Sequence, residues 1–350
     1  MDEKFTVVSR HDREKGLDSM IQDDNIAQPD PTDFPGRGSR REQIVFLLRF
    51  AIQAPSSHNS QPWRFSIDNE RLEVLADRDR WLTVADPERR ELYASIGCAI
   101  ENFVVAAEYF GLRCRCRYVP TDESRRPVAV IDVGGEMEDT GDPDLFGAIT
   151  RRQTNREPYD GTSIPEEQQR RLHREIADED LELRVFDERS HLDVIEELTG
   201  RANRLQYSDG EFRRELAHWI GRGAFGTGRL ASVLGKWAVT YLDIGALMAR
   251  RDASVIRSAP VFAVITSEKN DASSQLRCGR AMERVWLRAT EMGMSMQPMN
   301  QVLQVPEITS EFVERLEIGT RYPQLAFRIG CAEPPERRSP RRSVQEVLER

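Results

Sequence analysis

Two short stretches of this chain concentrate side chains that could hold a polar cofactor. The first, Ala54-Pro55-Ser56-Ser57-His58-Asn59-Ser60-Gln61-Pro62-Trp63, gathers hydroxyls, amides and an imidazole just after a helical pattern. Such a loop can present several hydrogen-bond partners to a polar heterocycle or to an anion. Ser, Asn and Pro are also ordinary turn residues, so a self-satisfied turn accounts for the same composition. The second stretch, Arg151-Arg152-Gln153-Thr154-Asn155-Arg156-Glu157-Pro158, brings three guanidinium groups close together. If helical, it places Arg152 and Arg156 four apart on one face. Guanidinium forks suit phosphate because they bind it bidentately and stay charged. A solvated basic helix end is the plainer alternative.

As a string, residues 54–63 resemble the flavin loop of the nitroreductase family, A-P-S-x-x-N-x-Q-P-W. The match covers Ala54, Pro55, Ser56, Ser57, Asn59, Gln61, Pro62 and Trp63. The resemblance implies that Pro55, Ser56, Ser57 and Asn59 contact a flavin mononucleotide (FMN), with Trp63 packed beneath. Residues 151–158 resemble the opening of the same family, R-R-S-x-R, with one residue more. Its phosphate-binding arginines would map to Arg151 or Arg152 and to Arg156. Flavin hydride chemistry needs no histidine base, so His58 is read as a turn residue and no catalytic side chain is assigned.

In ordinary nitroreductases one short chain carries the arginine motif and then the loop, and two chains build two sites. Here the loop comes first and the arginines follow, each once. The resemblance therefore implies two nitroreductase-like halves fused in one chain as an intrachain pseudo-dimer, with one flavin per chain. Gly279-Arg280-Ala281-Met282-Glu283-Arg284-Val285-Trp286 and the residues after it resemble the matching helix of the Acg-type branch, where such halves are fused. The resemblance runs over about residues 39–345. Gln297, Asn300 and Gln301 fall where the family brings main chain to flavin N5, and an N–H donor there would steer hydride transfer. A Met-rich core turn fits the same residues. Arg338, Arg341 and Arg342 are candidates for a late basic group at the phosphate, or for a solvated tail.

The elements around these motifs follow from local pattern. Ile44, Leu47, Leu48 and Ala51 predict a helix from Ser39, stopped before Pro55. Arg64–Ile67 and Arg71–Asp77 flank Asp68-Asn69 as a hairpin. A long helix is expected over Glu91–Phe110, and a strand over 127–133 that ends at Gly134-Gly135. Cys114 and Cys116 alternate with arginines and share one strand face. Later strands are expected at 181–187, 259–268 and 324–332, with helices over most of 189–251 and a long helix ending at Gly293. Gly221-x-Gly223-x-x-Gly226 spells a dinucleotide fingerprint, but a helical pattern precedes it where a strand is required. Residues 221–237 read instead as a lid with glycine hinges, or as a surface loop.

The 350 residues carry a net charge of −9 and five Cys, at 98, 114, 116, 278 and 331. Acidic balance disfavours blanket nucleic-acid binding, and the odd, scattered Cys disfavour a disulfide framework or a zinc ribbon. No apolar leader and no membrane-length run is visible, so a cytoplasmic protein without membrane or nucleic-acid partners is expected. The fold expected is α+β, nitroreductase-like: a mainly antiparallel sheet wrapped by helices. A polar arm (1–38) precedes a first half (39–140) with the loop and a second half (141–350) with the anchor. The function expected is FMN-dependent oxidoreduction from NAD(P)H to an electron-poor small molecule such as a nitroaromatic or quinone, as a monomer or homodimer. The rival expectation is a lidded protein that holds FMN without turnover.

Overall fold

The computed structural model describes residues 28–119, 126–137, 140–224, 235–240 and 244–349. Ser39 and Glu42 form a reciprocal capping box that starts helix α1 (Arg40–Ala51). Its expected stripe, Ile44, Leu47, Leu48 and Ala51, is fully buried, and so are Phe46 and Phe50 on other sides. Phe34, in the described end of the arm, stacks on Phe110 at 4.0 Å and meets Phe46 edge-on. Strands β1 (Trp63–Asp68) and β2 (Arg71–Ala76) pair as the predicted hairpin, with Asn69 in the left-handed region. Helix α2 (Arg90–Tyr109) leads to β3 (Leu112–Tyr118) and β4 (Ala129–Glu136). Strand β4 runs on through Gly134-Gly135, where its end was expected. Gly135 takes φ +74° beside a register shift at Leu112/Cys114, so a bulge carries the pairing onward.

The second part opens with α3 (Pro143–Arg151) and α4 (Glu166–Arg174), then β5 (Leu181–Phe186). Among the described residues, α5 (Arg189–Ser208), α6 (Gly210–Gly221) and α7 (Gly245–Ser258) follow, with residues 235–240 also helical. Then come β6 (Val261–Ser267), α8 (Ala272–Glu291), β7 (Ser295–Pro298), α9 (Pro306–Arg315) and β8 (Tyr322–Gly330). The two sheets are antiparallel and share one strand order, β1-β2-β4-β3 and β5-β6-β8-β7. Every residue of β6 is buried. Phe262 and Val264 pack with α5 and α7 residues, whereas Ala263 and Ile265 join the core around α8. That two-sided burial is why β6 reads as an unbroken apolar run.

Helices α2 and α8 have 20 residues each and cross at Gly97 and Gly279, the eighth residue of each. A Cβ on Gly97 would stand 2.1 Å from the Leu276 carbonyl oxygen; one on Gly279 would stand 2.0 Å from that of Ala94. Backbone touches backbone there. One turn on, Glu101 meets Arg280 and Arg284 at 2.8 and 2.9 Å. Burial alone would raise its carboxyl, but the two arginines hold it below its usual range. Among the described residues no helix is long and apolar enough to cross a membrane, and no group of three or more His, Cys, Asp and Glu could hold a metal.

Candidate functional site

The loop after α1, the start of α2, segment 152–160, the turn after β7 and the tail after β8 line one cavity of about 1140 Å³. That exceeds the roughly 300–1,000 Å³ of an ordinary small-molecule site. Loop 54–63 reaches it in an unusual backbone shape: His58, Asn59 and Gln61 all have φ near +50°. Asn and His enter that region more readily than most residues; Gln does so only where neighbours enforce it. The enforcement is visible. The Ser56 hydroxyl accepts from the Gln61 N–H, Arg80 donates to the Ser60 carbonyl, and the Arg342 N–H donates to the Gln61 side chain.

One end of the cavity is cationic. Arg152, 4% exposed, lies 3.1 Å from the Glu283 carboxylate, donates to the Gln53 carbonyl and sits over the Trp286 ring. Arg341 donates to Asn59 and also to the Gln53 carbonyl; Arg338 donates to the Thr150 carbonyl. Burial, then the charges of Arg152 and Arg338, push the Arg341 guanidinium down to about 9, against the pull of Glu283. Glu283 is itself raised to about 7 by burial, despite Arg152. Among the described residues, Arg152 Nη1 and Arg341 Nε are buried there without a hydrogen-bond partner.

A second polar group crosses the middle. Ser57 donates its hydroxyl to Glu91, Gln304 donates to the other Glu91 oxygen at 2.6 Å, and Gln206 donates to Gln304 at 2.6 Å. His58 stands beside Glu91 and Arg156; burial chiefly lowers its pKa to about 4, so it is neutral at pH 7. An apolar wall of Tyr207, Phe212, Leu216, Ile220, Ile244 and Met248, from α5–α7 and the residue before α7, also lines the cavity, as does Arg251.

Of the residues expected at a flavin, Pro55, Ser56, Ser57, Arg152, Arg156, Gln297, Asn300, Gln301, Arg338 and Arg341 line this one cavity. Asn59 does not line it but braces Arg341 and the Pro340 carbonyl. Arg151 is exposed and bonds back to Gly147 of its own helix. The helical premise for Arg152 and Arg156 is corrected: α3 stops at Arg151, and Thr154 bridges to Met296 in extended backbone. Arg338 and Arg341 stand beside Arg152. The Asn300 side chain accepts from the Ala326 N–H and Gln301 donates to Asp252. Arg342 pairs with Asp77, outside the cavity. Trp63 is fully buried, as expected. Most of the candidate lid, 225–234, lies outside the described residues; Gly221 and Gly223 end α6, so a helix does precede the glycines. Sequence reasoning missed Glu283, Glu91, Gln304 and the apolar wall. Glu283 had a signal: it falls on the buried stripe Gly279–Glu283–Trp286 of α8, where an acid needs a partner.

No protein-family model matches the chain. Rv3131 of Mycobacterium tuberculosis H37Rv, named for NAD(P)H nitroreductase activity, is 30% identical over 325 residues, spanning 88% of this chain and 91% of the relative. Acg of the same organism, likewise named, is 26% identical over 321 residues, 87% of this chain and 95% of its own. Among solved structures, the FMN-dependent nitroreductase NfnB from Mycobacterium smegmatis in complex with NADPH aligns with a TM-score of 0.42 at 15% identity, over 59% of this chain and 97% of that one.

Proposed function

Since the chain belongs to the nitroreductase family, in the branch that contains Acg, we propose that it binds one FMN in this cavity and passes reducing equivalents from NAD(P)H to a small electron-poor acceptor. The observation that carries the reading is the cationic end. Burial and the Arg152 charge lower the Arg338 and Arg341 guanidinium groups, and Arg152 Nη1 and Arg341 Nε find no hydrogen-bond partner among the described residues. A phosphate would offset the mutual repulsion and accept from those nitrogens, so the residues present fit the terminal group of FMN. Ser57, His58 and Gln297 add neutral polar groups to the lining beside Glu91 and Arg156, partners that a flavin ring's donors and acceptors can use.

Bound FMN would supply two-electron hydride exchange between a nicotinamide and an acceptor. The chain's own part is to hold and to shape. Arg152 and Arg341 both donate to the Gln53 carbonyl, so the second part of the chain and the tail fix the end of α1. Ser57, Glu91, Gln304 and Gln206 tie the loop to the insertion α5–α7 and keep that wall at a set distance. His58, its pKa lowered to about 4 chiefly by burial, adds no cation to the ring near neutrality.

The equal strand order of the two sheets and the matched glycines of α2 and α8 support the reading of two fused halves. The tail's grip supports firm retention of the cofactor, because leaving requires Arg341 to let go of Gln53 and Asn59 together; a flavin stays bound through hydride exchange, so the second reading, a cofactor held without turnover, is separated by experiment. Purified protein separates the two. A yellow chain with one FMN, bleached by NADPH and reoxidised by a nitroaromatic, supports the oxidoreductase. A yellow chain that no nicotinamide reduces supports retention, and a chain that takes up no FMN rejects both.

A further inference from the structure

Arg328 is fully buried on β8, and among the described residues each of its hydrogen bonds goes to a carbonyl oxygen. Its Nε–H donates to the side-chain oxygen of Gln297 at 2.8 Å. Nη1 donates to the Val255 carbonyl at 3.1 Å, and Nη2 to those of Asn155 and Glu157 at 3.2 and 2.7 Å. Gln297 is the β7 residue opposite Arg328 in the sheet, and it lines the cavity. A guanidinium has donors only, so the Gln297 atom that faces it must be the amide oxygen. Turning the amide over would set N–H against N–H and leave a buried charge with one acceptor fewer. The nitrogen is therefore the polar atom that Gln297 has left for the cavity, and among the described residues it makes no hydrogen bond. Two other lining amides are held the other way round. Gln301 gives its nitrogen to Asp252 at 3.0 Å, and Gln206 gives its nitrogen to Gln304 at 2.6 Å.

We infer that Arg328 is a positioning residue: it locks the Gln297 amide so that its NH2 faces the cavity and donates to a carbonyl oxygen of the flavin ring. Its bonds to Asn155 and Glu157 hang the segment that follows Arg152 from the same anchor, so the ring contact and the cationic end keep a set spacing. This rests on the flavin reading above and adds what tunes the bound cofactor. Reduction places more negative charge on the ring oxygens, so a donor fixed there strengthens on reduction and draws the equilibrium toward reduced FMN.

The midpoint potential of the FMN-loaded chain reads this. Gln297→Leu removes the donor and is expected to lower the potential by about 30 mV, a tenfold change for a two-electron couple. Gln297→Glu keeps an oxygen against Arg328 but offers no N–H, and lowers it at least as far. Arg328→Met leaves Gln297 in place yet lowers the potential part of the way, and adding it to Q297L causes no further drop. R328K, which still donates to the Gln297 oxygen, stays near wild type. Q297L at the wild-type potential overturns the inference. So does an R328M drop that persists in full on the Q297L background, which a general loosening of the site would give. If R328M does not fold, magnetic resonance of the cofactor-free chain with isotope-labelled arginine decides. Q297L then shifts the Arg328 Nε–H signal and speeds its exchange with solvent, whereas Q297E leaves it protected; a signal that Q297L leaves unmoved overturns the orientation. A wild-type chain that takes up no FMN rejects the flavin reading and this inference with it. FMN uptake with a potential indifferent to Gln297 rejects this inference alone.

Discussion

Arg341 sits where three cations converge and holds two elements at once, so its removal is informative beyond charge. Arg341→Ala is expected to weaken FMN binding by about 1.5–3 kcal/mol, the scale of a charge-assisted hydrogen bond. Equilibrium titration with FMN checks this, and unchanged affinity would remove the phosphate anchor. His58 gives a pH test. Its folded pKa of about 4 lies below the ordinary 6.5, so the folded chain binds fewer protons than the unfolded one between those values. Stability from this site is full above pH 6.5 and is lost as pH falls toward 4, by up to about 3 kcal/mol. Denaturant unfolding from pH 7 to 4.5 should show wild type losing ground to His58→Asn, a residue that tolerates φ +50°; parallel pH curves would count against it. At this scale the string 54–63 was legible because its residue types are locally distinctive. The Arg152–Glu283 contact was not, since nothing near either residue names its partner. Arg151 and Arg152 look alike in sequence, and only the end of α3 decides which one turns inward.

The crossing of α2 and α8 sets the spacing of the whole site at the level of elements. Ala in place of Gly279 would drive a Cβ into the Ala94 carbonyl, with no flexible side chain to yield. We expect a loss of more than about 3 kcal/mol, or failure to fold. Gly147, inside α3, is the control: its Cβ would meet nothing closer than 4.0 Å, so Gly147→Ala should be neutral or stabilise by up to about 1 kcal/mol. Thermal unfolding of the two variants reads the contrast, and a well-tolerated Gly279→Ala would mean the helices lie further apart. Helices and hairpin followed from apolar period and turn residues, as at Ser39 and at Asp68-Asn69. The run of β4 past Gly134-Gly135 did not, because a bulge depends on the partner strand β3 and leaves no mark in its own residues. The role of α5–α7 as a chamber wall was equally invisible, since their apolar faces read the same whether they cover core or cavity.

At the scale of the molecule, the halves resemble each other in order but not in content. Ser95, the sixth residue of α2, lines the cavity and faces the loop at Ser57. The sixth residue of α8 is Arg277, which binds Asp178 and Asp180 in the turn before β5, at 2.8 and 2.9 Å. On the reading of two fused halves, an ion-paired cluster takes the position that matches the flavin loop, and we expect one FMN per chain at saturation, whatever the assembly state. Flavin absorbance against protein mass measures this, and a ratio near two would contradict it. The tail has a further consequence. Read in the order of synthesis, every wall of the cavity exists before Arg338 and Arg341 are added, and these two close it against Thr150, Gln53 and Asn59. A nascent chain therefore carries an open cradle with no clasp. On the flavin reading, cofactor capture becomes a late event, and a protease that trims the last dozen or so residues would remove the clasp together with the buried Val344 and Val347, loosening loop and cofactor at once.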